Sequence, residues 1–217
     1  MKLESDGILI AMRPINERDA LAHIFSRDYG IVAGVMRGAV VAKKNKPLVG
    51  QVGTMSWNAR LDSQLGIFHW DVDRNMVANL MLKPNALMAM NSAFSLIDTF
   101  LPEREAYSDL YQATIDLVEG LANFDTESVY LGWEIKLLHD LGYALDLSRC
   151  SGCGVTHDLN YLSPKTGRAV CDNCARPYLN KLYKLPLNLN VSLRFLENVC
   201  VQQGVELPVM RTILKNI

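Results

Sequence analysis

The sequence predicts an α+β protein built from a small β-barrel, a helical region and a cysteine-rich insert. Residues 1–76 divide into short apolar segments separated by turn residues, apolar residues after Pro84 recur every three or four positions, and two Cys-x-x-Cys motifs follow. We therefore expect a barrel domain over 1–76, a helical domain over 77–147, a metal-binding element over 148–180, and C-terminal helices over 181–217 that pack on the helical domain.

Five short segments near the N-terminus predict the strands of the barrel. Each is rich in β-branched or other apolar residues and ends at turn residues, as at Asp28 and Gly30. Five short strands in so few residues are typical of a small barrel such as an OB-fold or an SH3-like domain. The predicted strands cover residues 7–12, 21–26, 30–36, 53–59 and 66–72.

The apolar period changes to that of a helix after Pro84. Pro84 suits the first position of a helix, and Pro102 is placed to end it. The stripe of this first helix is most simply core, and it consists of Leu87, Met90, Phe94, Ile97 and Leu101. Further helices are predicted over residues 106–122, then up to a cap at Gly142, and finally over 191–201.

Two cysteine motifs predict a structural zinc site. Cys150 and Cys153 form the first motif, Cys171 and Cys174 form the second, and 17 residues separate them. This spacing fits four thiolate ligands of one Zn²⁺ ion, because each motif supplies two. Two disulfides, unligated thiols, or His157 in place of one cysteine are the alternatives. Cys200 lies in an apolar stretch, which indicates a buried small residue.

Charge is unevenly distributed along the chain. Residues 1–76 have a net charge of +2, residues 77–147 of −8, and residues 148–217 of +5. The segment between Asp28 and Asp62 contains no acid, and it is the predicted nucleic-acid-binding segment. An ordinary solvated loop is the alternative. The cations of this segment are Arg37, Lys43, Lys44, Lys46 and Arg60.

The start of the chain and its motifs predict a cytoplasmic protein without catalytic activity. Met1 to Asp6 includes acids where a signal peptide is basic and then apolar, and no apolar run reaches the roughly 20 residues of a membrane span. A reducing compartment favours a metal over disulfides. Nucleotide-binding and hydrolase motifs are absent from the sequence, and four cysteine ligands leave zinc no open position for catalysis.

Several stretches of the chain resemble the bacterial RecO recombination-mediator family. The run from Trp133 to Cys150 resembles a family signature, in which a helix ends at a Leu-Gly-Tyr turn and leads into the first cysteine motif. Residues 161–171 are similar to the family's connection into the second motif, and residues 35–38 and 57–61 resemble its N-terminal barrel. The similarity runs in order through nearly the whole chain.

The resemblance implies a DNA-repair accessory protein with an OB barrel, a helical middle and a zinc element. Members of the family bind single- and double-stranded DNA, anneal complementary strands and work with RecR. They also engage the acidic C-terminal tail of the single-strand-binding protein, so that RecA loads onto coated DNA. A nucleoid-associated protein with no membrane partner is therefore expected, and the basic segment gains weight as its DNA surface.

Some alternatives remain open from the sequence. Trp57 is most simply a core residue of the barrel, with base stacking as its alternative role. Lys165, Arg168 and Arg176 offer the cysteine element a second DNA contact beside its structural role. A zinc-ribbon transcription or translation factor is the rival class of nucleic-acid-binding protein, and a zinc hydrolase is a less favoured one.

Overall fold

The N-terminal third of the chain is a closed five-stranded barrel. The computed structural model describes residues 1–61 and 64–214. Strand order around the barrel is β1-β2-β3-β5-β4, with β3 parallel to β5 and the other pairs antiparallel. This is the topology of an OB-fold, so the predicted barrel is confirmed. The strands are β1 (Lys2–Pro14), β2 (Ala20–Ser26), β3 (Gly30–Met36), β4 (Gln51–Asn58) and β5 (Gly66–Asn75).

Strand β1 closes the barrel because it pairs on both sides. Its first half is hydrogen-bonded to β4, with Lys2 opposite Asn58, and its second half to β2, with Pro14 opposite Ala20. A register shift between Leu9 and Ala11 bends the strand between these two partners. Strand β1 is therefore longer than the strand predicted over residues 7–12, and it pairs with both of the strands that it joins.

Trp57 fills the centre of the barrel. Its side chain is fully buried, and its indole N–H donates a hydrogen bond to the backbone oxygen of Ala33 at 2.9 Å. A Cβ atom at Gly66 would lie 2.2 Å from the indole ring, so only glycine lets β5 pass this close. Trp57 is a core residue, and its ring is not available to stack on a base.

Helices follow the barrel as the apolar period predicts. Residues Met76–Leu80 form a 3₁₀ turn, and Pro84 then begins α1. The Asp125 carboxylate accepts a hydrogen bond from the Ser128 backbone N–H at 2.9 Å and caps the helix that begins at Thr126. Gly204, in the left-handed conformation, ends the helix Leu189–Gln203. The helices of this part are α1 (Pro84–Phe100), α2 (Ser108–Asn123) and α3 (Thr126–Asp140).

The cysteine element interrupts the helical part between α3 and α5. Its three short strands form a small sheet in the order β7-β6-β8. They are β6 (Tyr161–Leu162), β7 (Ala169–Val170) and β8 (Tyr183–Lys184), with α4 (Asp172–Ala175) and a 3₁₀ turn (Arg176–Lys181) between β7 and β8. The chain then returns to the helices with α5 (Leu189–Gln203) and α6 (Val209–Leu214).

One hydrophobic core joins the barrel to the helices. Ile8, Phe25 and Val52 of the barrel belong to the same buried cluster as the apolar residues of α1, α2 and α3, and Leu162 of β6 belongs to it too. A separate cluster fills the barrel, and a small one surrounds Cys150 and Cys171. Among the residues described, no helix combines the length and apolar character that a membrane span needs.

Candidate metal centre and nucleic-acid interface

The four cysteines of the two motifs lie together in the cysteine element. Their Sγ atoms are all within 4.8 Å of one another, and those of Cys153 and Cys171 are 3.6 Å apart. Tetrahedral zinc with Zn–S bonds of about 2.3 Å requires sulfur atoms about 3.8 Å apart. The cluster therefore has the dimensions that a four-thiolate metal ion needs.

Backbone groups prepare one thiol of the cluster for ionisation. The N–H groups of Gly152 and Cys171 each donate a hydrogen bond to the Cys150 Sγ at 3.3 Å. These bonds, that from Cys171 foremost, lower the pKa of Cys150 to about 6. Hydrogen bonds shared with the other cysteines, first of them Cys153, raise the pKa of Cys174 to about 12. A cation at the centre would offset the charge of thiolates held this close.

The donor set leaves no position open for a substrate. Four sulfur ligands complete a tetrahedron, as in structural metal sites. His157 is not part of the cluster among the residues described, and none of the cysteines forms a disulfide. Cys200 is buried in α5, where it packs as a small apolar residue. These four cysteines could hold a metal ion, and they suit a soft divalent one.

The predicted DNA-binding cations all lie on the surface of the barrel. Arg37, Lys43, Lys44 and Lys46 belong to the long connection between β3 and β4, and Arg60 follows β4. All five are exposed or partly exposed, and none makes an ion pair with another described residue.

The predicted cations do not all lie together. Arg60 lies just beyond the end of β4. Lys46 lies near the start of β4, since its backbone oxygen accepts a hydrogen bond from Gln51 at 3.5 Å. The length of β4 separates the two positions, about 23 Å for eight residues. The cations therefore do not form one compact patch.

Arg18 joins this surface, and sequence analysis missed it. It lies in the β1–β2 loop, and its backbone oxygen accepts a hydrogen bond from Val40 N–H at 3.0 Å, in the turn that contains Arg37. Asp19 ties the two loops together, because its carboxylate accepts a hydrogen bond from Gly38 N–H at 2.8 Å. That bond, helped by Asn16, Arg18 and Arg37, lowers the pKa of Asp19. Proximity between distant loops is not visible in spacing along the chain.

Two models of one protein family match the barrel and the helical part of this chain. The model described as "Recombination protein O N terminal" matches residues 1–69, which cover the barrel up to His69 in β5. The model described as "Recombination protein O C terminal" matches residues 81–214, which contain the helices and the cysteine element. The chain belongs to the RecO family. The resemblance inferred from the run at Trp133 to Cys150 is thereby confirmed.

Curated relatives of the RecO family match most of the chain. The protein of Jannaschia sp. (strain CCS1) named "DNA repair protein RecO" is 38% identical over 191 residues, which are 87% of this chain and 77% of the relative. The proteins of the same name from Ruegeria sp. (strain TM1040) and Rhodospirillum centenum are 38% and 36% identical over 188 and 189 residues. These matches cover 86% of this chain in both cases, and 78% and 76% of the two relatives.

Proposed function

We propose that this protein is a DNA repair and homologous recombination mediator. It binds single- and double-stranded DNA, anneals complementary strands, and helps to load RecA onto DNA coated by the single-strand-binding protein, together with RecR. The observation that carries the proposal is the closed OB barrel of a RecO-family chain, with exposed cations in its β3–β4 connection and just after β4.

The barrel binds DNA through its phosphates. Arg37, Lys43, Lys44, Lys46 and Arg60 neutralise phosphates and release counterions, which gives steep salt dependence and little sequence preference. Arg18 adds a cation beside Arg37. Because Trp57 is buried, base stacking on that ring does not contribute. Annealing then needs no nucleotide hydrolysis, since base pairing supplies the free energy and the protein screens the repulsion between strands.

The cysteine cluster holds a structural Zn²⁺ ion. Cys150, Cys153, Cys171 and Cys174 are its ligands, and the zinc orders a segment whose own buried cluster is small. A complete set of sulfur ligands gives the zinc no catalytic position. The protein acts by binding, without enzymatic turnover.

The four segments of the chain divide this work. Residues 1–76 bind DNA, 77–147 form the helical frame, and 148–180 bind zinc. The C-terminal segment 181–217 supplies the helices that pack on this frame, and its last three residues lie outside the described part of the chain. RecR and the acidic tail of the single-strand-binding protein are the protein partners, and such a tail requires a cation beside an apolar surface. The protein works in the bacterial cytoplasm, at the nucleoid.

An annealing assay tests this function directly. Complementary oligonucleotides coated with the single-strand-binding protein are mixed without ATP, and duplex formation is followed by fluorescence. We expect the protein to accelerate annealing, and moderate salt to suppress the acceleration. Replacing Lys43, Lys44 and Lys46 with alanine should weaken DNA binding. It should also flatten the salt dependence, by roughly 0.7 in logarithmic slope for each phosphate of a single strand that the variant no longer neutralises.

The matched control replaces the same three lysines with arginine. This variant keeps the charge and should keep both the affinity and the salt slope of the unmodified protein. Unchanged slopes in the alanine variant would remove this loop from the DNA interface. Absence of accelerated annealing in the unmodified protein, with DNA binding intact, would contradict the mediator function and favour another zinc-containing nucleic-acid-binding protein.

A further inference from the structure

A cavity of about 670 Å³ opens on the cysteine element, and every residue described in its lining belongs to the segment 151–182. It lies between the β6–β7 turn, the two cysteine motifs and the 3₁₀ turn of residues 176–181, and Ser151, Gly152 and Cys174 are the lining residues from the motifs. Its lining is mainly apolar and includes Val170, Leu182 and the ring of Tyr178. The cavity therefore offers apolar surface that the packing of the element leaves uncovered.

Three cations surround this cavity. The lining includes Lys165, Arg168 and Lys181. No Asp or Glu lines the cavity among the residues that the structure describes. All three are exposed, and none forms an ion pair with another described residue. Asp146 is an acid close to Arg168: the two residues form a backbone bridge, and Arg168, after the hydrogen bonds from Ser148, helps to lower the pKa of Asp146. The lysines and the arginine of the lining therefore place three positive charges beside the apolar surface.

Tyr178 is the aromatic group of this site. More than half of its surface, 55%, is exposed, and its ring contacts no other aromatic ring and no cation among the described residues. An exposed ring beside unpaired cations is the arrangement by which proteins stack a base and hold the adjoining phosphates of a single strand. A duplex does not present a base face in this way.

We infer that this cavity is a second binding site for single-stranded DNA, in which Tyr178 stacks on a base while Lys165, Arg168 and Lys181 bind its phosphates. The inference rests on the proposed function, because it assumes that the barrel binds DNA. Arg176, a candidate from the sequence, does not line the cavity. The core that runs from the barrel through α1 to β6 makes the two sites parts of one frame. Such a frame holds two strands at once, which is what annealing requires.

Charge compensation is the alternative role of these cations. Four thiolates around one Zn²⁺ ion carry a net charge of −2, and nearby lysines and arginines stabilise this negative charge. That role predicts that removing the cations lowers zinc content or stability. It makes no demand on Tyr178, whose exposed ring would then have no function.

Two variants separate the roles. Tyr178→Ala should weaken the binding of a labelled oligothymidine about fivefold, the equivalent of about 1 kcal/mol of stacking. Lys165→Ala with Lys181→Ala should flatten the salt slope and slow annealing. The matched control is Arg176→Ala with Lys184→Ala, which removes two exposed cations of the same region that lie outside the cavity. This control should leave the oligothymidine affinity, the salt slope and the annealing rate unchanged. Zinc content and the unfolding midpoint should remain those of the unmodified protein.

Photo-crosslinking supplies a readout that does not depend on affinity. An oligonucleotide containing 5-iododeoxyuridine should crosslink to Tyr178, as mapped by mass spectrometry of the digested protein. If the barrel variant loses DNA affinity while the cavity variants and the crosslink map show no role for this site, the inference fails and the proposed function stands. If the unmodified protein binds no DNA, the proposed function itself fails. Binding of an acidic peptide that requires Tyr178, without a DNA effect, would also overturn the inference.

Discussion

Arg211 is the residue whose environment differs most from what its type suggests. It is fully buried, and its guanidinium donates hydrogen bonds to both carboxylate oxygens of Glu134, at 2.5 and 2.9 Å. A further bond of 2.7 Å reaches the backbone oxygen of Leu189, at the start of α5. Burial, the largest influence, lowers the pKa of Arg211, but the hydrogen bonds to Glu134 and the negative charge of Glu134, with a smaller contribution from Tyr130, together raise that pKa. One short helix, α6, is thereby attached to α3 and α5.

Removing one partner of this pair should destabilise the protein strongly. Arg211→Met leaves the Glu134 carboxylate buried without its counter-charge, so we expect a loss of about 3–5 kcal/mol in the free energy of unfolding, measured with urea. The double variant Arg211→Met with Glu134→Leu removes both charges and should recover most of that loss. A loss below about 1 kcal/mol in the single variant would contradict the importance of the pair.

At the scale of elements, the cysteine element depends on ligands more than on its own core. Its strands have two residues each, and its buried cluster contains four residues, two of which are predicted metal ligands. Segments of this size rarely order themselves by burial of apolar surface alone. Order in this element should therefore follow metal binding.

Cys171→Ser tests this dependence. We expect the variant to lose its zinc, measured by atomic emission, and to unfold several degrees below the unmodified protein, because metal binding contributes to folding. Acidification should release the zinc in the unmodified protein, since protons compete for the thiolates. Cys200→Ala is the control, because Cys200 is buried outside the cluster and its loss should leave zinc content unchanged. A zinc-free unmodified protein with the same melting temperature as Cys171→Ser would refute the structural role.

At the scale of the whole molecule, polar contacts join the barrel to the helices beside their shared core. His23 of β2 and Asp98 of α1 approach to 2.5 Å between Nδ1 and Oδ1. The segment before α2 also contacts the barrel, through Arg104. Its backbone N–H donates a hydrogen bond to the backbone oxygen of Ile31 in β3, and its guanidinium lies over the ring of Trp57, 4.2 Å from the ring centroid. A side chain at position 30 would collide with the backbone of Glu105, because a Cβ atom there would lie 1.8 Å from the Glu105 backbone oxygen.

The His23–Asp98 pair predicts a pH-dependent part of stability. The bond to Asp98, the largest influence, raises the pKa of His23 above its value of 6.5, and partial burial opposes it. The raised pKa means that folding favours the protonated imidazole. Its stabilisation is complete below the unfolded pKa of about 6.5 and is lost as the pH rises through the folded pKa. Asp98→Asn should remove this component, so the variant's unfolding free energy should fall less between pH 6 and 8. An identical pH profile in both proteins would exclude the pair as its source.

Much of the architecture was predictable because its signals are local. The change from strand to helix patterning, the helix start at Pro84 and the two cysteine motifs all depend on spacing along the chain. The short helix α6 was not separated from the C-terminal segment by its pattern, since its six residues hold less than two turns of periodicity. Arg18 was missed for a related reason, because it meets Arg37 only through the contact between two loops.

By itself, the sequence determined the barrel, the helical region, the two Cys-x-x-Cys motifs and the protein family in which these parts occur together. Only the tertiary structure decided that Trp57 lies in the core and that Arg211 and Glu134 are buried together. It also decided that Tyr178 stands exposed beside Lys165, Arg168 and Lys181. The physical reason is that periodicity and ligand spacing act between neighbours in the chain. Burial and charge pairing are set by residues that folding brings together from far apart, here 77 positions for Glu134 and Arg211.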